Sequence, residues 1–143
     1  MIPQSGKSSR AAEDRALRIN LEQSPHAPSL ARAAVASFSD GNDVAPARLA
    51  TLLLLVSEVV TNAVIHSGAP CQTNITLCAS MSDAGAIRIE VIDGGDGFTP
   101  VPRDPSSPGG GYGLYLVDRE SLCWGVDRSG GTRVWFELAT QAA

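Results

Sequence analysis

The spacing of apolar residues changes abruptly at Gly68-Ala69-Pro70, and that change limits the fold more than any other feature of the chain. Before it, Leu49, Leu52, Leu53, Val56, Val60 and Ala63 recur with the period of a helix that carries one apolar stripe. After it, Ile75, Leu77 and Ala79 alternate with Thr76, Cys78 and Ser80, and Ile87, Ile89 and Val91 alternate with Arg88, Glu90 and Ile92. That is the two-residue period of half-buried strands. Ser82-Asp83-Ala84-Gly85 supplies turn residues between the two runs, so they form a hairpin.

The other segments extend this order. Leu17, Ile19 and Leu21 alternate with Arg18, Asn20 and Glu22 and read as a strand. The spacing predicts a helix over residues 28–38, stopped by Ser39-Asp40-Gly41-Asn42, and a second over 46–66 with Pro46 in its first turn. Residues 112–122 read as a short helix. Trp124 and Val126, then Val134, Phe136 and Leu138, read as a closing hairpin that turns at Gly130-Gly131. The order β-α-α-β-β-α-β-β has too few βαβ units for a doubly wound sheet. It predicts an α+β fold, a two-layer sandwich with helices on one face of a mixed, mostly antiparallel sheet. With 143 residues, 43% hydrophobic and 18% charged, the chain suits one domain over residues 13–143 with its own core. Residues 1–12 are small and polar and read as a flexible tail.

Charge and motif arithmetic remove several function classes. A net charge of -4 gives no drive toward phosphate backbones or anionic lipid, so neither nucleic acid nor membrane is an expected partner. The run Leu52 to Val56 ends at Ser57-Glu58, short of the roughly 20 residues that span a bilayer. The first ten residues lack the apolar centre of a signal peptide, and a cytoplasmic location is expected. Cys71, Cys78 and Cys123 lack metal-ligand spacing and read as buried free thiols. Gly6-Lys7-Ser8 resembles the end of a P-loop, but position 1, where that motif needs Gly, is Met. Lys7 is the only Lys and no H-R-D loop exists, which excludes a protein kinase of the usual eukaryotic type. Gly109-Gly110-Gly111-Tyr112-Gly113 does not satisfy G-x-G-x-x-G. Nucleotide chemistry here needs another architecture.

Three constellations remain. Glu58 and Asn62 stand one helical turn apart, off the apolar stripe. Leu54, Leu55 and Ile65 share their face, so the helix is apolar nearly all round and is expected to lie between layers. A carboxylate and a carboxamide there need partners, because burying either alone costs several kcal/mol. The pair also fits a merely solvated face, and His66 fits a helix end. Asp93-Gly94-Gly95-Asp96-Gly97 follows a strand and is by itself either a turn or a site. Gly111-Tyr112-Gly113-Leu114 opens the short helix, where Leu114 and Val117 face the core and the free N–H groups of a helix start suit an anion. Residues 94–111 are rich in Gly, Pro, Ser and Asp and too long for an ordinary connection, as a lid that orders over a ligand would be.

Taken in order, Ser57-Glu58-Val59-Val60-Thr61-Asn62-Ala63, Asp93-x-Gly95-x-Gly97, Gly111-x-Gly113-Leu114 and Gly131-Thr132-Arg133-Val134-Trp135-Phe136 resemble the GHKL ATP-binding fold of gyrase, heat-shock chaperones and histidine kinases. Within it they look most like the bacterial anti-sigma-factor serine kinases, over about residues 16–139. The resemblance implies that Asp93 accepts the adenine amine while Gly95 and Gly97 let the backbone approach the nucleotide. It gives Mg²⁺ to the amide oxygen of Asn62, the phosphates to Gly111, Gly113 and the helix opening at Leu114, support of the adenine to Thr132, and the general-base role to Glu58. Family kinases often carry an Arg in or just before the second glycine motif. Here Gly109, Gly110 and Tyr112 stand there, and Arg103 lies earlier in the lid.

The implied function is an ATP-dependent serine/threonine kinase that phosphorylates an anti-sigma-factor antagonist and holds a sigma factor as its other client. Homodimerisation belongs to the same expectation. Phosphate on the antagonist, placed near Asp96 and Asp104, would favour release by like-charge repulsion. Two other readings stay open: a module in which ATP only gates protein binding, and a detached catalytic domain that phosphorylates a histidine.

Overall fold

The structure is a computed structural model, and it describes residues 16–66, 74–93, 112–128 and 131–141. The described residues form β1 (Ala16–Glu22), α1 (Ala27–Asp40), α2 (Pro46–His66), β2 (Asn74–Met81), β3 (Ala86–Asp93), α3 (Tyr112–Glu120), β4 (Cys123–Asp127) and β5 (Thr132–Ala139). The strands lie in the order β1-β2-β3-β5-β4, and each neighbouring pair is antiparallel. The sheet therefore sits at the antiparallel end of the expectation.

Register carries the period-two pattern across all five strands. Ile19, Leu77, Val91, Val134 and Val126 make one row, and Leu17, Ala79, Ile89, Phe136 and Trp124 the next. These rows face the helices, and Leu77, Ile89 and Phe136 are fully buried beneath them. A slip of one residue in any pair would turn a whole apolar row to water, which is why the pairing is unique. The β2–β3 turn closes with Ser82 N–H on Ala86 O at 2.8 Å, and Gly85 takes φ 78°, a conformation that costs a side-chain residue.

The long helix α2 is the keystone of the helical layer. Leu52, Leu55, Val56, Val59, Val60 and Ala63 are buried against the sheet. Its segment Pro46–Ile65 has a mean hydropathy of 1.7, enough in length and composition to cross a membrane, yet here it is the core helix. Two expectations are corrected. Leu55 faces the sheet rather than sharing the face of Glu58, and α2 is not enclosed between layers, since Leu54 is 45% and Ile65 65% exposed. Among the described residues the helices form a single layer, and the side of α2 away from the sheet carries these exposed residues. A third correction concerns the thiols: Cys123 is exposed and Cys78 half-buried because both fall on strand positions that face away from the helices, while Cys71 lies outside the described residues. The stop of α1 also differs in detail. Gly41 keeps φ near -86°, and the left-handed residue is Asp43 at φ 55°, a residue type that tolerates it.

The opposite face of the sheet is open and held by charge. Arg88 donates to Glu90 at 3.0 Å and to Glu137 at 2.9 Å, Arg133 pairs with Glu90 at 3.2 Å, and the Arg88 guanidinium lies 4.1 Å from the centre of the Trp135 ring. Burial works against the charge on Arg88, but the hydrogen bonds it donates to Glu90 and Glu137 outweigh it and raise its pKa above the ordinary value. Trp135 lies across the strand from Gly125, and a Cβ on Gly125 would come within 2.8 Å of its ring nitrogen. Gly125→Ala should therefore destabilise the domain by about 1–3 kcal/mol through overpacking, more than any gain from restricting the unfolded chain. Adding Trp135→Val should recover most of that loss. Urea unfolding of the two variants measures both effects, and a neutral Gly125→Ala would mean that the ring is free to move aside.

Candidate functional site

Polar residues from several elements meet at one end of the helix-facing side of the sheet. The last full row there runs Leu21, Ile75, Asp93, Thr132, so it begins apolar and turns polar halfway. Asp93 is 2% exposed and Thr132 3%, side by side on β3 and β5. A carboxylate at a position that period-two patterning assigns to the core is costly to keep, and the two strands hold it against the helical layer.

The long helix brings Glu58 and Asn62 to the same end. Ala45 N–H donates to Thr140 O at 2.9 Å, which fixes the start of α2 at the far end of β5. From there α2 rises about 24 Å to Asn62, and β5 runs back about 27 Å to Thr132. Asn62 thus comes about level with the Asp93–Thr132 row. The helix α3 packs on α2, and its end is tied to β5 by Leu122 N–H on Glu137 O at 2.8 Å. Its first turn, with Gly113, therefore points toward the Asp93 end, where the free N–H groups of a helix start favour an anion. Leu114 is buried beside Val117 in the core and anchors α3 to the sheet.

The rotation of α2 is set by contacts on its other flank. Arg32 of α1 donates to Ser57 Oγ at 2.9 Å, and Gln23 Nε2 donates to Val64 O at 3.0 Å. Glu58 and Asn62 lie roughly 100° and 140° around the helix from Ser57. That puts both on the flank toward α3, half-buried rather than enclosed. Sequence reading missed Gln23 and Arg32 and the role of Ser57 as an acceptor, because each pairing crosses at least 25 residues. Gly95, Gly97, Gly111, Arg103, Asp96 and Asp104 lie outside the described residues, and His66 is the last residue of α2.

A carboxylate sunk at a strand end and a carboxamide and carboxylate one turn apart on a neighbouring helix are the polar groups that this end of the domain brings to the helix-facing side. The model of the histidine kinase-like ATPase domain matches residues 21–137, and the chain belongs to that family. The GHKL resemblance carried by the four motifs therefore holds. The anti-sigma F factor of Clostridium acetobutylicum is 36% identical over 75 residues, 52% of this chain and 52% of that protein. The structure of the RsbU and RsbW domains of Rv1364c from Mycobacterium tuberculosis superposes with a TM-score of 0.70 at 21% identity, over 90% of this chain and 33% of that one. A blue-light activated histidine kinase, Erythrobacter litoralis EL346, matches with a TM-score of 0.56 at 28% identity, over 68% of this chain and 32% of that one. The chain thus spans about half the length of the curated relative it matches. It is an ATPase-type domain that resembles an anti-sigma factor.

The polar end of the row yields a test. Replacing both residues with apolar ones of similar shape, Asp93→Leu with Thr132→Val, extends the apolar rows to the sheet end and should cost less than about 2 kcal/mol of stability. ATP affinity, followed by calorimetry, should be lost in the same protein. A loss of stability greater than about 2 kcal/mol would mark the pair as part of the structure rather than of the site.

Proposed function

We propose that this domain binds Mg-ATP at the Asp93 end and transfers the γ-phosphoryl group to a serine or threonine hydroxyl of a partner protein, in the manner of an anti-sigma-factor kinase. The observation that carries the reading is Asp93, a carboxylate 2% exposed on the helix-facing side of the sheet next to Thr132. A buried acceptor at that place fits an exocyclic amine that brings its own hydrogen. The helix start of α3 fits the other pole of the ligand, the phosphates. Gly95, Gly97 and Gly111 belong to the same assignment by motif.

The donor set also fits Mg²⁺. Among the described residues no three His, Cys, Asp or Glu side chains gather into a cage. Mg²⁺ is commonly held by one or two protein oxygens together with substrate phosphates, and the Asn62 amide oxygen is a hard ligand of that type. When bound, the ion would neutralise charge on the phosphates. Glu58, one turn before Asn62 on the same flank, would accept the proton of the attacking hydroxyl. The new bond joins that oxygen to the γ-phosphorus, the bond from the γ-phosphorus to the bridging oxygen breaks, and ADP leaves with that oxygen. Positioning and charge neutralisation supply most of the catalysis in such a transfer.

The resemblance to an anti-sigma F factor supports an anti-sigma-factor antagonist as the substrate and a sigma factor as the alternative client. A cytoplasmic location belongs to the same proposal. Glu58→Gln keeps shape and hydrogen-bonding capacity but removes the base. It should lower phosphotransfer from labelled ATP by about 100-fold or more, with little change in nucleotide affinity. Full activity in that variant would remove Glu58 from the chemistry. Nucleotide binding without transfer to any partner would favour the ATP-gated binding module instead.

A further inference from the structure

Between Thr51 and Ile65 the exposed residues of α2 are Leu54 and Ile65, and both are aliphatic. The outward side of a surface helix normally carries charged or polar residues. Counting from Leu54, Glu58, Thr61 and Ile65 follow at steps of four, seven and eleven residues, so all four share one stripe on the side away from the sheet.

Hydrogen bonding along this stripe is unevenly spent. Thr61 Oγ1 donates to Ser57 O at 2.7 Å, and Ser57 Oγ accepts from Arg32 at 2.9 Å. Glu58 carries no hydrogen bond and no ion pair among the described residues. The stripe therefore presents an aliphatic side chain, a carboxylate open to a donor, a hydroxyl already used, and a second aliphatic side chain.

We infer that this stripe reads the sequence around the accepting hydroxyl, and that the substrate is a serine or threonine with apolar side chains on both sides of it. The inference rests on the proposed transfer to a hydroxyl held at Glu58. A hydroxyl that gives its proton to Glu58 brings its chain neighbours over Leu54 and Ile65, because both lie on the same stripe. Leu54 stands about 6 Å from Glu58 along the helix axis and Ile65 about 10 Å on the other side. An extended segment advances about 3.3 Å per residue, so the apolar side chains belong about two residues to one side of the hydroxyl residue and about three to four to the other. A second copy of the chain is a poorer occupant. With Leu54 laid over Ile65 about a twofold axis, Glu58 meets Thr61, whose proton is already given to Ser57 O, and the carboxylate is covered without a donor.

The test gives the full chain and Mg-ATP a peptide library in which one serine is fixed and four positions on each side are degenerate. Transfer of labelled phosphate is read position by position. Leu, Ile, Val and Met should be selected about tenfold over Ser and Gly at the two flanking places. Leu54→Lys should turn the selection at the nearer place toward Asp and Glu, and Ile65→Lys should do the same at the farther one. Each variant should keep the apolar selection on its other side and bind ATP as the wild type does, which calorimetry reads. Circular dichroism confirms that both variants fold. Transfer without apolar selection, or selection unchanged in both variants, would overturn this inference and leave the proposed transfer standing. ATP binding with no transfer to any peptide would overturn the transfer itself, and this inference with it.

Discussion

The packing of one apolar helix on one apolar sheet face governs everything else in this domain. Leu52, Leu55, Val56, Val59, Val60 and Ala63 of α2 cover the rows built on Leu77, Ile89, Val91, Val134 and Phe136. Each Å² of apolar surface that this contact removes from water stabilises the domain by about 25 cal/mol. The contact also fixes the azimuth of α2. With the apolar stripe on the sheet and the Ser57 flank held by Arg32, the remaining flank must carry Glu58 and Asn62 toward α3.

The same contact explains why the proposed site lies at the sheet end. Apolar rows fill the middle of the helix-facing side, and a polar ligand gains nothing there. The row that contains Asp93 and Thr132 is the place where strand positions reserved for the core carry hydrogen-bonding groups instead. By helix and strand rise, the last turns of α2 come about level with it. The open face of the sheet has no part in this, because its residues Arg88, Glu90, Arg133 and Glu137 satisfy one another.

Local periodicity made most of the fold legible. The bounds of α2 at Pro46 and His66 were expected, since Pro46 and the Gly68-Ala69-Pro70 break mark them, and the two hairpins followed from alternation and turn residues. What periodicity could not supply was the layer count. A helix with apolar residues on several sides reads as enclosed, yet Leu54 and Ile65 reach solvent, because the described residues put no second layer over α2. Burial of the thiols failed for a related reason: Cys78 and Cys123 occupy strand positions whose facing depends on which side of the sheet the helices take. At the proposed site, the glycines that follow Asp93 singled it out, and the structure buries it at the end of β3. The positioning contacts of Gln23 and Arg32 were not legible, because long-range hydrogen bonds leave no spacing in the sequence.

The central claim is that a nucleotide lies between the Asp93–Thr132 row, the Glu58–Asn62 flank of α2 and the start of α3. Backbone amide spectra of the labelled protein, recorded while Mg-ATP is added, address it residue by residue. The account predicts shifts at Asn62, Asp93, Thr132 and the first turn of α3, with Arg88, Glu90 and Glu137 on the open face unmoved. Spectra unchanged at saturating Mg-ATP, or changes gathered on the open face, would contradict it.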